Sequence, residues 1–403
     1  ISCGKSGKNN SANLAMFIRC DSVSFQERKT SFSDDDVGRL WSLESLGISS
    51  ETSSDVLERF KETVKFTESN YEVSLPWRRD HDLLADNYEL TERRLVSLIW
   101  RLRKQPEILR EYNQIMTDLL NAGILERVPS IAPELGKAYY MPHHPVIRKN
   151  KVTTKLRIVY DVSSKIVGPS LNQVLHEGPC LLPELLKVLL RFLFFKVGLI
   201  ADIERAFLPV QVNEDDRDFL RVLWVEDISD ERLKPLVLRF TRCVFGVTCS
   251  PFHLLATLHC HLDKYASNYP DVATELRHAM YVDDLSSGAD NVENCLRLAQ
   301  LSKDILSEGG FNLRKFSTNS KELASKVECM NKLPKVAEVK EMTFADFSTM
   351  TSEGPCDSDS EVKVLGLVWD KGDDDFVFRF SSLLEAAVDM DITKRSVLRL
   401  IAK

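Results

Sequence analysis

Little in this sequence belongs to a secreted or membrane-spanning protein. Its nine cysteines are odd in number, scattered, and never in C-x-x-C spacing, which excludes a disulfide framework and fits reduced thiols inside a cell. The longest apolar stretch, Leu181 to Phe195, is interrupted by Glu184, Lys187 and Arg191 and is too short to cross a bilayer, and no secretory leader is expected. Basic charge is not in excess either. The formal net charge is -7, so any nucleic-acid footprint has to be local. There is no internal repeat, and no Asp-Thr-Gly or Asp-Ser-Gly triplet. The expectation is a soluble, cytoplasmic chain with no membrane partner.

What is present is an ordinary globular composition, 43% hydrophobic and 28% charged over 403 residues, enough for about two to three domains. One local basic footprint exists. Between Gly136 and Lys165 the basic residues Lys137, Arg148, Lys149, Lys151, Lys155, Arg157 and Lys165 face the single acid Asp161. Residues 1–40 are polar and aperiodic and read as a poorly ordered linker. Residues 41–135 form an N-terminal helical region: Leu95, Leu98, Ile99 and Leu102 share one helix face, Ile108 to Leu119 supply a second, and Gly123 follows as C-cap. Tyr71 to Trp77 reads as an extended docking strip.

Residues 138–149 and 155–162 read as a hairpin with positive charge at its tip. Beyond it the pattern predicts a helix at 183–195, strands at 197–203, 219–225 and 236–244, and a helix at 251–265 capped by Ser250 with Pro251 at its first position. A strand at 279–282 turns at Asp283-Asp284, and Asp290 with Glu293 forms a capping box for a helix closed by Gly309-Gly310. These elements make an α+β sheet with helices on one face. Residues 331–361 are a polar, acidic insertion loop, and 362–403 begin with a strand containing Gly366 and end in mid-helix.

Two carboxylate sites stand out. Tyr281-Val282-Asp283-Asp284 places paired acids at a hairpin tip, where both can reach one cation; the plain alternative is a turn that favours Asp. Leu199-Ile200-Ala201-Asp202-Ile203 is an apolar strand ending in an acid, which costs free energy unless it meets a partner such as a metal; the alternative is a strand-end Asp capping the next turn. His259-Cys260-His261 lacks zinc geometry, because helix neighbours one and two apart diverge. His143-His144 reads as a structural corner.

In order along the chain, Leu75-Pro76-Trp77, Tyr140-Met141-Pro142-His143-His144-Pro145-Val146, Arg157-Ile158-Val159-Tyr160-Asp161, Asp202 to Phe207, Phe245-Gly246-Val247 with Ser250-Pro251-Phe252, Tyr281 to Asp284, Gly310 to Phe316, and Val364 to Trp369 resemble the reverse transcriptase region of Pao/BEL-type long-terminal-repeat retrotransposon polyproteins. The resemblance covers Trp41 to Lys403. It implies a right-hand polymerase of fingers, palm (together 136–330) and partial thumb, with an antiparallel palm sheet packed on helices. Asp202, Asp283 and Asp284 would hold two Mg²⁺ (or Mn²⁺) ions, and Lys149, Arg157, Phe207 and Lys315 would bind the nucleotide. Phe207 would be the steric gate against a 2′-hydroxyl, with a core phenylalanine as its alternative. Gly246, Ser250, Pro251, Tyr281 and Gly366 would contact template and primer. Retroviral members of the family carry Gln where Phe245 stands here.

The implied activity is RNA-directed DNA polymerase, a nucleotidyltransferase using an RNA or DNA template with primer and deoxynucleoside triphosphates. The protease, RNase H and integrase regions of a parent polyprotein are expected to lie outside this chain, and the location to be the cytoplasm or a virus-like particle. The rivals are a silent retroelement remnant that folds or binds nucleic acid without polymerising, and a metal-dependent nuclease or phosphohydrolase.

Overall fold

The computed structural model describes residues 2–4, 17–19, 50–67, 70–78, 84–128, 138–147, 156–331 and 361–377, with side chains described from Asp55 onward. Three predicted features fall outside these residues: Lys149 with the rest of the basic hairpin's tip, the acidic insertion, and the C-terminal helix.

Strands β1 (Ser2–Gly4) and β2 (Phe17–Arg19) come first, within the stretch whose composition predicts no structure. Helix α1 (Ser50–Thr63) leads into β3 (Lys65–Thr67) and β4 (Asn70–Val73). The supposed docking strip is thus a strand at its start, the centre of a sheet ordered β3-β4-β9 with β9 at Val210–Val212. Only after Val73 does it dock, where Asp216 accepts from the Leu75 backbone and the Trp77 indole, both at 2.7 Å.

Helices α2 (Tyr88–Leu102) and α3 (Pro106–Asn121) bury the two apolar faces read from the periodicity. Proline opens α3, and Gly123 follows its C-cap with φ +67°, a left-handed conformation that glycine adopts without steric cost. After β5 (Leu125–Arg127), the basic hairpin appears as β6 (His143–Ile147) and β7 (Leu156–Tyr160). Its root is pinned by buried His143, which contacts the Tyr112 hydroxyl and the Leu223 carbonyl; burial lowers its pKa to about 4, so it is a neutral structural residue.

Short α4 (Leu171–Val174) and α5 (Leu185–Phe194) precede β8 (Val197–Ile203), whose bounds match the predicted strand. Beyond it, a 3₁₀ helix (Glu214–Leu220) takes the place of the predicted strand start at 219; β10 (Arg221–Val225) and β11 (Pro235–Phe240) pair antiparallel, and β11 also pairs with β5. Helix α6 (Ser250–Asp263) has Cys249 at its N-cap. Ser250 does not cap it: the hydroxyl donates to the Val244 carbonyl at 2.7 Å, tying the helix start to the preceding loop. His261 near its end is engaged with the Tyr71 hydroxyl at 2.9 Å and the Ile305 carbonyl at 2.6 Å.

Helix α7 (Pro270–Ala279), which the sequence reading missed, feeds β12 (Met280–Tyr281) and β13 (Asp284–Ala289). Helix α8 (Val292–Glu308) is capped by Asn291, which accepts from the Asn294 backbone, and not by Asp290. Strand β14 (Leu313–Thr318), helix α9 (Lys321–Asn331) and the meander β15 (Glu361–Val364), β16 (Leu367–Asp370), β17 (Asp375–Val377) complete the described chain. The result is a mixed α+β protein of small sheets, antiparallel apart from the β4–β9 pair.

The sheet that matters most runs β12-β13-β8-β14. Every residue of β8 is buried, but its two faces differ. Val197, Leu199, Ala201 and Ile203 enter the main core, whereas Ile200 joins a smaller core with Phe192, Val364, Trp369 and Phe376. Gly198 shares that second face, where an added Cβ would come within 3.0 Å of the Phe192 and Trp369 rings. Helix cover is therefore on both faces and not, as expected from the sequence, on one, because α5 reaches the second face through Phe192. Asp202 is next along this second face, and strand alternation alone directs it there.

Candidate active site

Strand β8 presents Asp202 at its C-terminal end, and pairing does the rest. In the antiparallel register Asp284 of β13 lies directly across from Asp202 on one side, and Arg314 of β14 lies across on the other. Directly opposed residues share a sheet face, so the order across the sheet is carboxylate, carboxylate, guanidinium. Asp283 occupies the β12–β13 turn beside them, and its carbonyl accepts from the Ile203 backbone at 2.8 Å, which fastens the hairpin tip to the end of β8. Two segments far apart in sequence thus deliver three aspartates to one place.

The turn itself is strained. Tyr281 pairs with Asp284, leaving Val282 and Asp283 as a two-residue loop, and Val282 has φ +59°. Positive φ at the first central position is the glycine site of a II′ hairpin. A β-branched residue there costs about 1–2 kcal/mol, stored where the two acids are aimed.

A second irregularity aims Lys315. The β14–β8 register shifts between Arg314 and Ser317, and Lys315 takes φ +56° within that bulge. A bulge re-aims a side chain that regular alternation would send elsewhere. Here it brings the Lys315 ammonium to 3.3 Å from Asp202 Oδ2. Arg314 pairs with Glu204 at 3.0 Å, and Asn312 donates to the same carboxylate at 2.7 Å. Sequence reasoning missed this Glu204 clamp. Its signal was the acid two residues after Asp202 and the Arg-Lys pair of the later strand, which only the register joins.

The electrostatics are those of too much negative charge with too little water. Asp202 and Asp283 are 7% and 5% exposed. Burial raises the Asp202 pKa against the opposing pull of Lys315 and Arg314. Burial, with Asp202 adding repulsion, pushes Asp283 up to about 6. Asp284 rises to about 8, through burial first and then the charges of Asp283 and Asp202. One oxygen of Asp202, Oδ1, is buried with no hydrogen-bond partner.

Hard oxygen donors in excess of their counter-charge, one of them orphaned, match the preference of Mg²⁺ or Mn²⁺. Among the described residues, however, no three His, Cys, Asp or Glu side chains stand in chelating position, so the carboxylates have the right chemistry and neighbourhood without a preformed cage.

These shifts have a sign. A carboxyl whose folded pKa lies above its unfolded value favours the folded state most below the ordinary carboxylate range, and that contribution is lost as pH rises through the folded pKa. Stability should therefore decline between about pH 4 and pH 8, by on the order of 2–4 kcal/mol for the coupled acids after screening. Asp284→Asn should flatten the decline and raise the melting temperature at pH 8, as should added Mg²⁺. Thermal melts across this pH range check it, and a wild-type profile indifferent to pH would refute the crowded-acid account.

Other predicted site residues are more scattered. Phe207 lies five positions past Asp202 but is 1% exposed and meets Phe245 edge-on, ring centroids 4.4 Å apart. A ring that screens a sugar needs an open face, so in this structure Phe207 is a core side chain. Gly246 has φ +94°, and a Cβ there would come within 2.9 Å of the Tyr160 carbonyl; it lets the α6 approach lie against β7, which carries Arg157. Ser250 is buried and Pro251 exposed at the start of α6. Gly366 forms, with Leu365, a two-residue β15–β16 turn with φ +48° and +89°, the I′ pattern. Its hairpin rests through Val364 and Trp369 on the sheet face that bears Asp202.

Among solved structures, the chain is similar to a foamy viral protease-reverse transcriptase in complex with an RNA/DNA hybrid, at 17% identity and a TM-score of 0.44. That likeness covers 72% of this chain and 30% of the other. No family model matches the sequence, and no curated protein matches it. Among the described residues no helix is long and apolar enough to cross a membrane.

Proposed function

We propose that this chain is the polymerase core of a reverse transcriptase of a Pao/BEL-type retrotransposon, an RNA-directed DNA polymerase that extends a primer 3′-hydroxyl with deoxynucleoside triphosphates. The observation that carries the reading is the cross-strand meeting of Asp202 with Asp284, and of both with Asp283 at a strained turn, in a chain whose motifs follow the reverse transcriptase order. Two divalent ions held by these aspartates would supply activation of the primer hydroxyl and neutralisation of the departing pyrophosphate.

The chain's own groups have separable tasks. Asp202 and Asp283 offer buried oxygens whose geometry is fixed by β8 and the hairpin turn. Lys315 neutralises Asp202 in the free protein, and once that carboxylate is otherwise engaged its ammonium is free to turn toward an anionic phosphate, helped by a side chain that is 52% exposed. Arg157 and Lys149, on the basic hairpin, would hold the triphosphate, arginine by paired hydrogen bonds. Gly246, Ser250 and Pro251 would support the templating base, Tyr281 would lie beside the primer end, and the Gly366 hairpin would steady the primer.

Lys315→Met should tighten Mn²⁺ binding a few-fold, because the competing ammonium is gone; for a half-exposed pair this is about 0.5–1 kcal/mol. Single-turnover extension should slow at the same time. A binding isotherm followed by electron paramagnetic resonance tests the first effect, and weaker binding would show that Lys315 helps to build the ion site instead of competing for it. Arg157→Ala should raise the apparent KM for nucleotide by about tenfold or more with little change in kcat; unaltered nucleotide dependence would make Arg157 an ordinary strand residue.

A second reading, a chain that binds nucleic acid without polymerising, is favoured by the lack, among the described residues, of a ready three-donor cage. Primer extension on an RNA template, with and without Mg²⁺ or Mn²⁺, decides between them. Metal-dependent elongation supports the polymerase, and primer–template binding without elongation supports the remnant.

A further inference from the structure

Strand β8 ends at Ile203, yet its pairing on the β14 side runs one residue further: the Glu204 N–H donates to the Asn312 carbonyl at 2.8 Å. Alternation therefore carries Glu204 onto the sheet face that bears Asp202. Across from both stands Arg314, the register partner of Asp202 and the last paired residue of β14 before the bulge. Residues so opposed bring their Cβ atoms to about 4.5–5.5 Å. The guanidinium thus has two carboxylates in reach, Asp202 straight across and Glu204 on the diagonal.

It takes the diagonal. Arg314 Nη1 meets Glu204 Oε1 at 3.0 Å, and Asn312 Nδ2 donates to Oε2 of the same carboxylate at 2.7 Å, so both Glu204 oxygens are held. The pair is largely sheltered, the two side chains being 19% and 28% exposed, and salt screens it little. Asp202 Oδ1, meanwhile, is buried and accepts from no donor among the described residues. An orphaned carboxylate oxygen opposite a guanidinium is costly, and it persists because the guanidinium is drawn to Glu204.

The two cations near Asp202 differ in kind. Lys315 is a half-exposed point charge on a flexible stem, and it can leave Asp202 Oδ2 when another cation arrives. An arginine delivered by a paired strand would instead grip both oxygens at once, a strong geometry for a carboxylate, and a divalent ion would have to displace it. We propose that Glu204 is a positioning residue that holds Arg314 on the diagonal and so keeps the Asp202 carboxylate open. The choice of ion pair needs no metal; that the open carboxylate serves a divalent cation rests on the polymerase reading above.

Two measurements test it. The first is free of metal: with a chelator present, Asp202→Asn, Arg314→Met and their double variant should shift the melting temperature nearly additively when Glu204 is intact. In a Glu204→Gln background the same two substitutions should become clearly non-additive, because the released guanidinium now pairs with Asp202. The second is Mn²⁺ binding followed by electron paramagnetic resonance. Glu204→Gln should weaken it about tenfold, and adding Arg314→Met should restore it to within about twofold of the wild type. Simple damage to the sheet would not be repaired by a second loss. Glu204→Asp keeps the charge but shortens the reach, so it should weaken binding by about threefold; it keeps the test open should Glu204→Gln fail to fold. Additive shifts in the Glu204-substituted background, or Mn²⁺ binding that Arg314→Met does not restore, overturns the proposal. Should the wild type bind no Mn²⁺ while the metal-free coupling appears, the ion site of the polymerase reading fails and the role of Glu204 in placing Arg314 stands.

Discussion

Asp283→Asn, and equally Asp202→Asn, is expected to abolish primer extension, a loss of about a thousandfold or more and thus at least about 4 kcal/mol of transition-state stabilisation, in a protein that remains folded. Asparagine keeps the size of the side chain and removes only its charge. At Asp283 that charge is a burden to the folded chain, because burial and the neighbouring Asp202 hold its pKa near 6. The expected signature is therefore double: activity disappears while the melting temperature at neutral pH stays level or rises. A structural acid would give the reverse, with stability falling. Undiminished extension by either variant would remove that aspartate from the proposed chemistry, and Asp202→Asn should in addition release Lys315 from its partner at 3.3 Å.

Phe207→Ala is expected to cost about 3–5 kcal/mol of stability, as truncation of a large buried ring generally does. The ring is 1% exposed and packed edge-on against Phe245, so its removal opens a cavity that neighbouring backbone is poorly placed to fill. A domain of this kind has little more than that to spare, and Phe207→Leu, which retains most of the volume, is the variant in which function can be read. Its ratio of ribonucleotide to deoxynucleotide incorporation should match the wild type if the ring is purely core. A clear gain in ribonucleotide incorporation, with a nearly unchanged melting temperature, would return Phe207 to the gating role that its spacing from Asp202 implies, and would require the ring to gain an open face when nucleotide binds.

Much of the local structure is legible because it depends on short-range pattern. Val197 to Ile203 is a β-rich apolar run with clear ends, and the faces of α2 and α3 repeat at helical spacing. Where competing local signals are similar, reading fails. Asp290 and Asn291 are both good N-caps, and the structure uses Asn291. Ser250 precedes a proline, an ideal capping context, yet its hydroxyl goes to Val244 because the incoming loop offers a nearer acceptor. Helix α7 leaves little trace in the sequence because Val272, Ala273, Leu276 and Ala279 form a short apolar face among charged neighbours, and it is held by packing on the sheet.

The candidate site divides in the same way. Sequence alone determined that the chain owns three aspartates in costly settings, an apolar strand end and a hairpin tip, which follow from residue type and neighbours within a few positions; Lys315 is singled out only by the family resemblance. The same resemblance points to Gly246 and Gly366, and the structure supplies the reason for glycine there, a positive φ at both. Only the tertiary structure decided that Asp284 faces Asp202, that a bulge turns Lys315 onto that carboxylate, that Arg314 and Glu204 lock beside them, and that Phe207 is enclosed. Each of these is a matter of strand register or of packing between distant segments. A shift of one residue in the β8–β13 pairing would put Asp202 and Asp284 on opposite faces without altering a single local preference, and so no local preference can encode their meeting.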